Sequence, residues 1–150
     1  MPLNDIVDEI VTILGTVTGI GLVRGYEEVV QQHNDFTAAF MTGGIINTVE
    51  VVRQTSFETR FTGRRSDDLH TIAINVYRGV AIGDAATTRA AHVTLVEAIR
   101  TIFRYNFRLN TEACQLLPAQ VAEDGHVEKF GTLMHYSLVT IDVKEDLQAP

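Results

Sequence analysis

The sequence holds one cysteine, Cys114, in 150 residues, so no intrachain disulfide can form. Its plain reading is a small, semi-buried apolar residue rather than a reactive thiol. Basic residues are scarce: 12 Lys and Arg against 19 Asp and Glu give a formal net charge of −7. That deficit argues against a broad phosphate-binding surface, which would need many cations to displace counterions, although a local basic patch stays open. No apolar run approaches the roughly 20 residues that a membrane-spanning helix needs. Met1–Leu14 has no basic leader region and carries Asp5, Asp8 and Glu9, so it does not read as a signal peptide. Folding in a cytoplasm is expected. There is no internal repeat, low-complexity stretch or domain linker.

Motifs that carry chemistry are missing as well. A dinucleotide loop needs its glycines after a strand and at the opening of a helix. Gly19, Gly21 and Gly25 follow a helix instead and lead into a short strand, about 20–24, which reads as a tight turn. His70 stands near Asp67 and Asp68, but one imidazole and two acids without ligand spacing make a weak metal site. A solvated turn is the plainer reading. An enzyme would need His70, His92 or His135 to converge with Asp67, Asp68 or Glu97 in a pocket. No catalytic residue, cofactor or metal is expected.

What is present is an order of elements. The composition is 45% hydrophobic and 21% charged, ordinary for one globular domain with a real core. Ile6, Val7, Ile10, Ile13 and Leu14 follow a helical period, with Asn4 or Asp5 as cap and Gly15 as stop. This helix has no Lys or Arg to meet lipid headgroups, so packing on a sheet is expected. Two strand-like runs follow, Val49–Thr62 and Leu69–Val80. In the first, Val51, Thr55, Phe57, Thr59 and Phe61 suit a half-buried face, and Gln54, Ser56, Glu58 and Arg60 suit solvent. Gly63–Asp68 is a polar turn, and the product is an antiparallel hairpin.

A strong amphipathic helix is predicted near Thr87–Asn106, with Asp84 as N-cap. Leu95, Val96, Ile99, Ile102 and Phe103 form its apolar stripe, extended by Ala91 and His92. On such a stripe His92 is expected as a packed core residue. Arg89, Glu97, Arg100 and Arg104 occupy the other face. They serve solubility and the helix dipole, or form an arginine surface for an acidic partner. Ala113–Ala122 is a strand or irregular run, and Glu123–His126 reads as a turn. The last strand, Leu133–Val143, has apolar residues on both faces and so is central or partly covered by another subunit. Lys144–Pro150 reads as a polar tail.

Tyr26–Thr48 is the least regular stretch. It carries Phe36, Phe40, Met41, Gly43, Gly44, Ile45 and Ile46. A structureless segment this long tends to be functional or mobile, and exposed apolar residues in it would mark a partner surface. A short helix, Phe36–Met41, covering a sheet edge is the alternative. Spacing alone therefore gives a soluble α+β domain and no more.

In succession these residues resemble the tail terminator, or tail completion, proteins of long-tailed bacteriophages. The matching pieces are the N-terminal helix, the run Gly19-Ile20-Gly21-Leu22-Val23-Arg24-Gly25-Tyr26 and the middle segment. Then come Val49-Glu50-Val51-Val52-Arg53, Leu69-His70-Thr71-Ile72-Ala73-Ile74, and Ala81-Ile82-Gly83-Asp84 before the long helix. A final strand closes the domain. The resemblance covers most of the chain and rests on order rather than on one motif. The long segment 26–48 departs from the most familiar members of the family.

The resemblance implies an α+β fold, with a mixed, mainly antiparallel sheet flanked by the N-terminal helix and the long helix. It implies one domain over 1–150, with a mobile segment about 26–48 and a polar tail 144–150. It implies a structural virion protein that assembles in the host cytoplasm as a ring, usually a hexamer, at the head-proximal end of the tail tube. There it ends tube growth and presents the surface that joins the head. Its partners would be copies of itself, the tail tube protein and a head-completion or connector protein; DNA would pass without specific binding, and no membrane is involved. No catalysis is implied. Candidate subunit or tube contacts are Asp35, Phe36, Phe40, Met41, Ile45, Arg100 and Arg104. The alternatives are a head-completion or other connector protein, which a chain richer in strands would favour, and a small α+β ligand-binding module or enzyme.

Overall fold

The computed structural model of the chain describes residues 3–27, 40–42, 45–81, 83–106, 109 and 114–148. The element order is α1 (Leu3–Leu14), β1 (Leu22–Arg24), β2 (Met41–Thr42), β3 (Ile45–Arg60), β4 (Arg65–Gly79), α2 (Ala85–Tyr105), β5 (Cys114–Leu116), β6 (Gln120–Lys129) and β7 (Thr132–Gln148). The fold is α+β. Seven strands form one sheet in the order β1-β3-β4-β7-β5, with β2 also on β3 and β6 also on β7. Among the described residues, β1 runs parallel to its neighbour β3 and the other pairings are antiparallel.

The predicted hairpin is present, with a shorter turn. Phe61 N–H donates to the Arg65 carbonyl, so Arg65–Asp68 belong to β4 rather than to the connection. Alternation then decides the two faces. Val51, Ile74 and Val139 align across β3, β4 and β7 and point to one side. There they meet Ile6 and Ile10 of α1 and Leu95, Ile99 and Phe103 of α2 in the main core. The apolar stripe of α2 is thus oriented as its spacing requires, with His92 buried on it. On the opposite side Phe40, Ile46, Tyr77 and Met134 form a second, smaller cluster. The two-faced character of the last strand comes from these two clusters and from its central place between β4 and the β5–β6 edge.

Gly21 explains how β1 reaches the sheet. A Cβ there would lie 2.1 Å from the Asn47 carbonyl oxygen. Glycine therefore allows the backbone to approach β3 just before Leu22 aligns with Thr48. Asn47 Nδ2 fastens the approach by donating to the Gly19 carbonyl at 3.1 Å.

Several local expectations are corrected. Helix α1 begins at Leu3, so Asn4 and Asp5 lie inside its first turn and neither caps it. Asp84 does hold the N-cap position of α2, its carbonyl accepting from Thr88 N–H, but its side chain makes no cap bond. Glu123–His126 is not a turn: it lies inside β6, and the chain reverses at Phe130-Gly131. Both turn residues have positive φ, 51° and 73°, as a tight two-residue hairpin between right-twisted strands requires. The segment 144–148 is not a polar tail but the end of β7, paired to β4 as far as Arg65 opposite Gln148. Of the segment 26–48, Met41–Thr42 and Ile45–Thr48 are strand, and Asn47 and Thr48 are buried. Of the alternative helix Phe36–Met41 only the last two residues are described: Phe40 is helical and Met41 belongs to β2.

Strand length decides what stays uncovered. The 21 residues of α2 span about 32 Å, whereas the 17 of β7 reach about 56 Å. The strands outrun the helix, and β3 from Arg53 to Arg60 is exposed on both faces. The expected half-buried face is also split: the irregularity at Gln54 leaves Val51 in the main core and turns Thr55, Phe57 and Thr59 to the opposite side of the sheet, where Phe57 is 69% and Phe61 58% exposed.

Candidate functional site

The structure brings only some of the candidate contact residues together. Arg100 and Arg104 flank a cleft of about 210 Å³ between the end of α2 and Leu116–Ala119. Its floor is Phe103, Leu116 and Leu117. Arg100 is partly engaged: Nη1 donates to Glu97 at 3.1 Å and Nε to the Ala119 carbonyl at 3.5 Å. Ile45 is 53% exposed and lines a second cleft of about 300 Å³ with Ile46, Val80, Thr88 and Leu133. Met41 is placed by pairing with Ile46.

Phe40 is not on the surface, which corrects its candidacy as a contact. It is 1% exposed, with its ring edge-to-face with Tyr77 at 5.6 Å between centroids. Lys129 Nζ lies 5.4 Å from the Phe40 centroid and 4.8 Å from that of Tyr77, a cation–π arrangement closing the same cluster. Burial raises the Tyr77 hydroxyl pKa, and neighbouring Glu50 adds to the effect. Asp35 and Phe36 lie outside the described residues.

The histidines form two polar groups that spacing did not foretell. In the first, Ser137 Oγ lies 2.8 Å from His92 Nε2 and 2.7 Å from Asp124 Oδ1. The carboxylate can only accept, so the serine proton points to Asp124 and His92 must donate through Nε2. Arg89 holds the same carboxylate with both terminal nitrogens, Nη1 to Oδ1 at 3.1 Å and Nη2 to Oδ2. These bonds, Arg89 first and Ser137 second, lower the Asp124 pKa to about 2. Burial, with His135 nearby, lowers the His92 pKa to about 4. His135 is shifted down too, by burial and then by His126. Thr88 Oγ1 donates to the Ala85 carbonyl at 3.1 Å and lies 2.9 Å from His135 Nε2, so His135 is again the donor. Both imidazoles are neutral at pH 7, and both bury an Nδ1 without a hydrogen-bond partner.

That polarity matters for chemistry. A serine nucleophile needs an imidazole that accepts its proton. Here the imidazole donates and the serine proton is held by a carboxylate, within a site where Ser137 and His92 are both buried. The arrangement ties α2 to β6 and β7 rather than preparing an attack.

The second group corrects the reading of His70 as part of a solvated turn. His70 is buried in β4. Its Nε2 is 3.3 Å from Glu145 and 3.4 Å from Asp68, and its Nδ1 is 2.7 Å from Ser56 Oγ. Asp67 points to the other face and pairs with Lys144 at 3.1 Å. Glu145 was hidden in the supposed tail; its signal was the unbroken alternation Val139, Ile141, Val143, Glu145. Among the described residues no group of three His, Cys, Asp or Glu could hold a metal ion. No described helix is long and apolar enough to cross a membrane.

Among the described residues, exposed apolar side chains also gather on the arm formed by the ends of β3 and β4 beside β7. Phe57, Phe61 and Leu69 line a shallow cleft of about 410 Å³ there, with Thr59 and the Asp67–Lys144 pair. These residues were read as half-buried because alternation reports a face, not what covers it. No protein-family model matches the chain, and a search of curated proteins finds no match.

Proposed function

We propose that this chain is a structural protein of a bacteriophage tail. It assembles as a ring, usually of six copies, at the head-proximal end of the tail tube, stops tube growth and offers the surface that joins the head. The observation that carries the reading is the exposed pair Phe57 and Phe61, beside the half-buried Leu69, set away from the helix-covered core. A monomer gains nothing from exposing paired phenylalanines, whereas a subunit of an assembly buries them. The succession of elements resembling tail terminators, on an α+β frame, supports the same role. The formal net charge of −7 suits a passage through which DNA moves without being gripped. The ring works through surfaces, with the tail tube protein and a head-completion protein as partners, and without catalysis. The test is a virus lacking this chain. Overlong or ragged tails detached from filled heads are expected, and normal virions would overturn the reading.

A second reading is a connector on the portal side of the same junction. The described strands hold more residues than the two described helices, which favours it. Binding of the purified chain to tail tubes rather than to portal-bearing heads separates the two.

A further inference from the structure

We infer that copies of this chain join head to tail by continuing the sheet, the outer edge of β3 in one copy pairing with the outer edge of β6 in the next. Among the described residues, β1 and β2 cover β3 only as far as Glu50. From Val51 onward its outer edge has no strand beside it. At the other side of the sheet β6 pairs with β7 alone. A one-residue irregularity interrupts each edge, at Gln54 in β3 and at Ala122 in β6. Beyond these lie two regular open stretches of similar length, Thr55–Arg60 and Glu123–Lys129. Open edges of this kind are templates for another strand.

Direction and charge make a second copy the occupant. β3, β4, β7 and β6 alternate in direction. An unflipped copy placed beside β6 therefore presents its β3 antiparallel, and the alternation continues. The contact is heterologous, as a ring requires. Between residues 53 and 64 the β3 arm carries Arg53, Arg60 and Arg64 against one acid, Glu58, whereas β6 carries Glu123, Asp124 and Glu128 against one base, Lys129. The two stretches sit at opposite ends of the strands, one beside residues 142–147 of β7 and the other beside 132–138. Strands would then be inclined to the ring plane, as they are in a barrel.

Register follows from the same facts. Phe57 aligns with Leu69, and Val127 aligns through Met134 with Gly79, ten residues along β4, so both face the same side of the sheet. Faces stay continuous when Phe57 stands opposite Gly125, Val127 or Lys129. The first choice sets Glu58 against Asp124 and the last sets it against Glu128, and like charges directly opposed are unfavourable. Phe57 opposite Val127 avoids both. It also places Glu58 against His126 and Arg60 against Asp124.

Closure into a ring rests on the tail reading above; the pairing itself does not. In this register Thr59 faces Gly125, where a Cβ meets nothing within 4 Å. Cross-strand Cβ atoms at about 4.5–5.5 Å suit a disulfide. Thr59→Cys and Gly125→Cys proteins, mixed under mild oxidation, should give a covalent dimer that neither gives alone. Thr55→Cys with Gly125→Cys should give none. Arg60→Asp, opposing Asp124, should return the sizing profile to the monomer with an unchanged circular dichroism spectrum. A Thr59→Cys homodimer, equal yield at Thr55, or cross-linking only to tail-tube protein overturns the inference. Cross-linking by a chain that never caps tubes upholds it and overturns the tail reading. Capping without cross-linking does the reverse.

Discussion

His92 and Ser137 are joined in a direction opposite to that of a catalytic pair: the imidazole Nε2 donates to the hydroxyl 2.8 Å away, and the hydroxyl donates to Asp124. Ser137 is therefore not primed as a nucleophile by His92. Purified protein should neither hydrolyse ester or peptide substrates nor label with a fluorophosphonate. Labelling at Ser137, or turnover lost in His92→Ala or His70→Ala, would reverse this conclusion.

The same pair makes stability depend on acid. His92 has a pKa of about 4 in the folded chain against 6.5 when unfolded. Between these values the unfolded state binds the extra proton, so stability is full above pH 6.5 and falls as pH drops toward 4. The loss attributable to His92 is about 3 kcal/mol, at 1.36 kcal/mol per pH unit. Asp124, lowered to about 2 from 3.8, adds a further loss in that lower window. Urea unfolding at a series of pH values checks both, and His92→Gln should flatten the upper part of the curve.

Ser137→Ala removes the acceptor for the His92 Nε2–H and the donor to Asp124 while leaving the shape nearly unchanged. A buried donor left unmade costs about 1–3 kcal/mol. Denaturant midpoints should shift accordingly, and a neutral result would mean that the donor finds water.

Two phenylalanines separate core from arm. Phe103→Ala should cost roughly 3–5 kcal/mol, because the side chain lies between α2 and the sheet. Phe57→Ala should stay within about 0.5 kcal/mol in the monomer, because the side chain is 69% exposed. Equal effects in thermal unfolding would show that the arm is packed.

Phe40→Asp should now unfold the chain rather than only block assembly, since it places a charge among Tyr77, Ile46 and Met134. Arg100→Glu with Arg104→Glu is the cleaner probe. Arg100 has one exposed ion pair, worth no more than about 1 kcal/mol, so the fold should survive. If the cleft beside these arginines is a working contact, tube capping should be lost while circular dichroism stays unchanged.

The hairpin, the phase of the long helix and the fold class are legible in the residues alone. Each follows from a local period: two residues for Ile72, Ile74 and Val76, and 3.6 for Leu95, Ile99 and Phe103. Gly19, Gly21 and Gly25 likewise mark a tight turn from helix to strand. The close approach of Gly21 to Asn47, by contrast, appears only once β1 lies beside β3. Alternation shows that Phe57 and Val139 each have a face, but only the register shift at Gln54 sets Phe57 on the side away from α2, where it stays exposed, while Val139 lies under the helices. Spacing could not join His92 to Ser137 or His70 to Glu145, because those contacts cross 45 and 75 residues of chain. The supposed tail became strand for the same reason: Lys144–Gln148 is polar by composition, and its pairing partner lies in β4, far away in sequence.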